Sequence, residues 1–115
     1  MEVKAEARYI RVSAQKARLV VDLIRGRKAN DAIITLRTVN KRIAPAVEKV
    51  LHSAIANAQN QAEKNNEDLD VDQLYVSEAY VNEGPRQKRV RPAPMGRAYR
   101  IQKRTSHIVV KVAEK

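Results

Sequence analysis

The chain has 115 residues, of which 43% are apolar and 31% charged, and only 3% are aromatic. That is one domain's worth of sequence with an aliphatic core. A net charge of +10 points to nucleic acid or another polyanion, and the lack of cysteine excludes disulfides and thiolate metal sites.

The charge is uneven. Residues 1–73 hold 13 basic and 10 acidic groups, whereas residues 74–115 hold 10 basic and 3 acidic groups. The N-terminus, MEVKAEARYIRV, lacks the apolar run of a signal peptide. No apolar stretch approaches the ~20 residues of a membrane span. A soluble, intracellular protein is the expectation, and the lack of cysteine suits a reducing compartment without demanding one.

Val3 to Val12 alternates loosely and ends in β-formers, which predicts a strand. Ser13 stands where a helix N-cap belongs. Ala17, Val20, Val21 and Ile24 then follow the spacing of one buried helix face. Gln15, Arg18, Asp22 and Arg25 fall on the opposite, wet face, and Gly26 is placed to close the helix in a left-handed cap. Asn30 or Asp31 is the expected cap of a second, short helix through Val39, with Ala32, Ile33, Leu36 and Val39 inward.

A third helix carries the stripe Ala44, Val47, Leu51, Ala54, Ala58 and Ala62, supported by Val50 and Ile55. Pro45 is tolerable only in its first turn, and the helix should end near Lys64. Asn65 to Gln73 is an acidic connector. Its Asp spacing lacks the central Gly and terminal Glu of a calcium loop. Leu74 to Asn82 reads as a strand and Arg97 to Val112 as its partner.

Between them lies the element that gives the chain its character. Glu83 to Arg104 holds eight basic residues, with no acidic residue from Glu83 until Glu114. Gly84, Pro85, Pro92, Pro94 and Gly96 exclude a helix there. So many charges cannot be buried unpaired. The expected form is a hairpin whose base joins the sheet and whose tip protrudes. Fully extended from Leu74 to a turn near Pro92, it would reach roughly 60 Å. The fold class that follows is α+β: three helices packed on a small antiparallel sheet with a long protruding β-hairpin. Residues 1–115 form a single domain in this reading. Residues 1–80 and 105–115 make its globular part, and 81–104 make the extended basic hairpin.

Catalysis is not indicated. His52 belongs on the outer side of the third helix, and His107 is placed for packing or a hydrogen bond to RNA. No acid pair, phosphate loop or dinucleotide fingerprint occurs. No enzyme activity, metal or cofactor is expected. Arginine outnumbers lysine, which suits bidentate phosphate contacts. Apolar or ring residues (Val90, Met95, Tyr99, Ile101) interleave with the charges. Tyr99 either stacks on an exposed base or packs across the ribbon. RNA is favoured over duplex DNA, since no segment reads as a basic recognition helix. A free nucleic-acid regulator whose ribbon enters a groove is the competing class, and a small enzyme on an anionic substrate is the third.

The segments VSAQKARLVVDLIRG (Val12 to Gly26), SAIANAQNQ (Ser53 to Gln61), NEGPRQKRVRP (Asn82 to Pro92) and GRAYRIQKRTSHI (Gly96 to Ile108) resemble the bacterial ribosomal large-subunit protein twenty-two family. The likeness runs from about Arg8 to Val112, with Arg91-Pro92-Ala93-Pro94 departing from the family's Pro-Arg-Ala. It implies a monomer within the large ribosomal subunit, bound to large-subunit ribosomal RNA and to neighbouring large-subunit proteins. It also implies a hairpin that lines part of the nascent-peptide exit tunnel and meets the nascent peptide. The residues expected on RNA are Arg11, Lys16, Arg18, Arg86, Lys88, Arg89, Arg91, Arg97, Tyr99, Arg100, Lys103, Arg104 and His107. The expected tunnel tip is Arg89, Val90, Arg91, Pro92, Ala93, Pro94, Met95 and Gly96.

Overall fold

A computed structural model describes residues 2–92, 96 and 98–114. Its elements are β1 (Glu2–Ile10), α1 (Ala14–Val21), α2 (Ala29–Thr38), α3 (Ala44–Lys64), β2 (Leu74–Glu83), β3 (Gln87–Pro92), β4 (Ala98–Lys103) and β5 (Ser106–Glu114). The architecture is α+β, with three helices against an antiparallel sheet of order β1-β5-β2, and β3 and β4 forming a separate two-stranded ribbon.

α3 organises the core. Every residue of its expected stripe is buried, with Val47, Leu51, Ala54 and Ala58 at 0% exposure. The helix ends at Lys64, and Pro45 sits in its first turn, where no intrahelical amide is needed. Its alanines let it lie close over β1 and β5, against Val3, Ala5, Ile108, Val110 and Val112. Burying a side chain such as Leu51 stabilises the fold by roughly 1.5–3 kcal/mol.

β2 shows how register is tuned. Val76 pairs with Val112, but Ala79 pairs with Val110, because Ser77 is an extra residue between them. This bulge moves the buried set from Leu74 and Val76 to Ala79 and Val81. Without it, period-2 alternation would turn half the strand's apolar residues away from the helices. Ser77 Oγ donates to the Lys111 carbonyl (3.2 Å), and Lys111 Nζ pairs with Glu78 (3.0 Å).

Several expectations are corrected. Ser13 does cap α1, its Oγ accepting from the Lys16 amide at 3.4 Å. The regular helix, however, stops at Val21 and tightens into turns through Ile24 and Arg27. Gly26 is left-handed (φ 80°), yet its N–H donates to the Val76 carbonyl of β2 rather than back to the helix. Gln15, Arg18, Asp22 and Arg25 are exposed as expected, but two of these guanidinium groups also reach the sheet. Arg18 donates to the Val81 carbonyl (3.1 Å) and Arg25 to the Ala79 carbonyl (2.6 Å), strapping α1 and the turn after it to β2.

α2 is preceded by Lys28, not by Asn30 or Asp31, and has no side-chain cap. Lys28 bridges to Tyr75 instead, so a strand pairing sets where this helix begins. Ala32 and Leu36 are fully buried, while Ile33 and Val39 are half-buried against the core. The acidic connector contains one 3-10 turn, Val71–Gln73, whose Asp72 amide bonds to the Asp70 side chain (3.0 Å).

The segment from Arg97 to Val112 is not one strand. The β2–β5 ladder ends at Glu83 opposite Ser106, and pairing resumes at Gln87 opposite Lys103. The interruption follows from Pro85, which has no N–H to give a ladder. Two bonds hold the joint: Gly84 N–H to the Thr105 carbonyl (2.9 Å) and Thr105 Oγ1 to the Pro85 carbonyl (2.8 Å). Beyond it the ribbon protrudes. The molecule measures 66 × 28 × 16 Å with a radius of gyration of 17.6 Å, against ~13 Å for a compact chain of about this length.

Candidate nucleic-acid interface

The link from β1 to α1, residues 11–13, lies beside the ribbon's base. Ser106, fully buried at the start of β5, places it there by donating its hydroxyl to the Val12 carbonyl at 2.7 Å. Arg11 and Arg104 therefore come together across a bond that no sequence pattern announces. They line two adjoining hollows. One, of about 570 Å³, is walled by Tyr9, Arg11, Pro85, Lys103, Arg104 and Thr105. The other, of about 680 Å³, is walled by Arg11, Val12, Ser13, Lys16, Leu19, Lys41, Arg42, Ile43 and Arg104.

Among the described residues, six cations thus face one crevice with no acid in its walls. Arg11, Lys16, Lys41, Arg42, Lys103 and Arg104 are all exposed. Among the described residues none of them forms an ion pair, whereas Arg8, Arg25, Arg37, Arg86 and Lys111 each do. Like charges held close repel, and a polyanion in the crevice removes that repulsion. Leu19, 60% exposed, and the half-buried Ile43 give the second hollow an apolar side.

Of the residues singled out from sequence, Arg11, Lys16, Lys103 and Arg104 meet at this crevice. Arg18 does not join them, since its guanidinium is engaged by β2. His107 is half-buried. Its Nδ1 accepts the Tyr9 amide (3.1 Å), and its ring meets the Tyr9 ring edge-on, with centroids 5.0 Å apart. Arg86 pairs with Glu83 at 3.2 Å beside the joint.

On the ribbon, Lys88 is exposed opposite Gln102. The backbone register sets Arg89 opposite Ile101, Val90 opposite Arg100, Arg91 opposite Tyr99 and Pro92 opposite Ala98. Gly96 is exposed and left-handed (φ 72°). Ala93, Pro94, Met95 and Arg97, part of the expected tip and RNA set, lie outside the described residues.

Lys41 and Arg42 were missed from sequence. They occupy the short link before α3, where the only signal was two adjacent cations. Tyr9 was missed as well. It adopts φ 58°, an uncommon conformation for a bulky residue. Its place in the β1 bulge, with Arg8 and Tyr9 set against His107, accounts for this.

Among the described residues no cluster of three or more His, Asp or Glu is placed to hold a metal, and no helix is long and apolar enough to cross a membrane. His52 lies on the outside of α3, beside Glu48 at 3.4 Å.

The sequence matches the family described as ribosomal protein L22p/L17e over residues 5–113. It is 76% identical to the large ribosomal subunit protein uL22 of Solibacter usitatus, covering 100% of this chain and 98% of that one. Identity is 55% to the uL22 of Koribacter versatilis, covering 100% of this chain and 69% of the relative. To the uL22 of Macrococcus caseolyticus it is 53%, with 100% and 89% covered.

Proposed function

The chain belongs to the ribosomal protein L22p/L17e family, and on that premise we propose that it is a structural constituent of the large ribosomal subunit that binds large-subunit ribosomal RNA. The observation that carries the RNA role is the crevice at the ribbon's base, where six exposed cations gather without an acidic partner among the described residues. Their work is electrostatic. Arginine and lysine neutralise closely spaced phosphates and release the condensed counterions, which lets RNA helices approach one another. Lys16, Lys41 and Arg42 take backbone phosphates on the domain side, and Lys103 and Arg104 take them where the ribbon departs. Arg86, Lys88, Arg89, Arg91, Arg97 and Arg100 continue the contact outward.

In this reading β3 and β4 carry the ribbon inward from the domain, so that residues 89–96 line part of the nascent-peptide tunnel and meet the emerging chain. The length of the molecule, 66 Å, supports a contact reaching well beyond the domain. The chemistry is binding rather than turnover, and its partners are ribosomal RNA, neighbouring subunit proteins and the peptide in transit.

Sedimentation of a lysate at moderate salt tests this. The protein should travel with the large subunit and leave it only at high salt or after RNase. Binding of the purified protein to large-subunit rRNA should weaken roughly 10³–10⁵-fold between 50 and 200 mM salt for 6–10 phosphate contacts. Protein remaining at the top of the gradient, or an affinity indifferent to salt, would overturn the proposal.

A further inference from the structure

The smaller hollow has an aromatic residue, Tyr9, among its walls. Tyr9 is 63% exposed, an unusual place for a bulky side chain on a strained residue, and it contributes nothing to the core. It is nonetheless held firmly. The β1 bulge presents its amide to His107 Nδ1, and the His107 ring braces the Tyr9 ring edge-on at 89°. His107 is itself fixed in β5, opposite Asn82 of β2. Tyr9 thus lines a cavity of about 570 Å³ whose other walls are Arg11, Lys103, Arg104, Pro85 and Thr105. That volume falls in the range of small-ligand clefts.

A held aromatic face beside three unpaired cations matches the two parts of a nucleotide. Bases stack on aromatic rings whatever their sequence, and phosphates bind guanidinium forks. In RNA the bases free to do this are the unpaired ones, splayed from loops and bulges. We propose that this hollow receives one unpaired RNA nucleotide, with its base on the Tyr9 ring and its phosphates on Arg11 and Arg104. The proposal rests on the RNA-binding reading above and adds to it a discrete, ring-dependent subsite. It places a stacking role on a tyrosine of the domain, separate from the expectation for Tyr99 on the ribbon.

The test is filter binding of the full-length protein to a transcript of the Solibacter usitatus large-subunit rRNA. Tyr9→Asn removes the ring while keeping a residue that tolerates left-handed φ, so its melting midpoint should not fall. Its affinity should drop about 5- to 140-fold, the range of one lost stacking contact, with the slope of affinity against salt unchanged. Tyr9→Phe should recover that affinity. Arg11→Gln and Arg104→Gln should instead each flatten the salt slope by about one phosphate contact. Should Tyr9→Asn fail to fold, short-wave ultraviolet cross-linking of the wild-type complex decides, and the peptide carrying Tyr9 must be among those attached to RNA. Wild-type affinity in Tyr9→Asn, or a cross-link map without that peptide, would overturn the subsite while leaving the RNA reading intact. Failure of the wild-type protein to bind the transcript would overturn both.

Discussion

Gly84→Ala is the most telling perturbation of the ribbon's joint. Gly84 is not there for an unusual backbone angle. It is there because the chain passes too close to Thr105 for a side chain. A Cβ at this position would collide with Thr105 Oγ1 and come within 3.2 Å of the Thr105 carbonyl carbon and oxygen. The hydroxyl could rotate away only by giving up its bond to the Pro85 carbonyl, and the carbonyl accepts the Gly84 amide, so it cannot retreat without breaking that bond too. Overpacking of this kind costs roughly 1–3 kcal/mol.

For 115 residues the unfolding entropy is about 0.24 kcal/mol/K, so the melting midpoint should fall about 4–12 °C. Thr105→Ala in the same chain removes the hydroxyl collision but not the carbonyl one. It should restore part of the loss, as a favourable coupling on the order of 1 kcal/mol in a double-mutant cycle. Calorimetric melts of the four proteins check this. A Gly84→Ala midpoint within about 1 °C of wild type, or a double mutant no better than the sum of its parts, would refute the close-packed joint.

Two further outcomes follow from the domain. Leu51→Asp puts a carboxylate into the fully buried stripe of α3, and the variant should show no cooperative melting; a near-normal midpoint would mean that α3 is packed in another register. Glu48 has its pKa lowered from 4.5, chiefly by the hydrogen bond from Arg37 at 2.8 Å. A carboxylate depressed in the folded state contributes stability that is complete above its unfolded value and is lost as the pH falls through its folded value. The stability gap between wild type and Glu48→Gln should thus be widest above pH 4.5 and close on acidification. A gap that does not change with pH would remove Arg37 as the cause.

Much of the molecule was legible in its sequence, for reasons that lie in local physics. The stripe from Ala44 to Ala62 has the helical period, so its buried face, its extent to Lys64 and the tolerance of Pro45 could all be read from spacing. The protrusion of the ribbon could be read from charge alone, since eight cations with no acids cannot enter a core. Ser13 as a cap depends on one side chain and one amide three residues on.

What the tertiary structure alone decided involves partners far apart in the chain. The end of α1 is drawn into β2 because the Gly26 amide meets Val76, and α2 starts where Lys28 meets Tyr75. Arg18 and Arg25, cations on an apparently wet face, are engaged by β2 carbonyls 63 and 54 residues away. The basic crevice exists because buried Ser106 holds Val12, bringing Arg11 to Arg104, with Lys41 and Arg42 completing the wall. A sequence determines which groups cannot be buried and which faces must be, because those costs belong to single residues and their near neighbours. Which exposed cations are left unpaired and gathered into one site depends on long-range hydrogen bonds, and those exist only once the chain has folded.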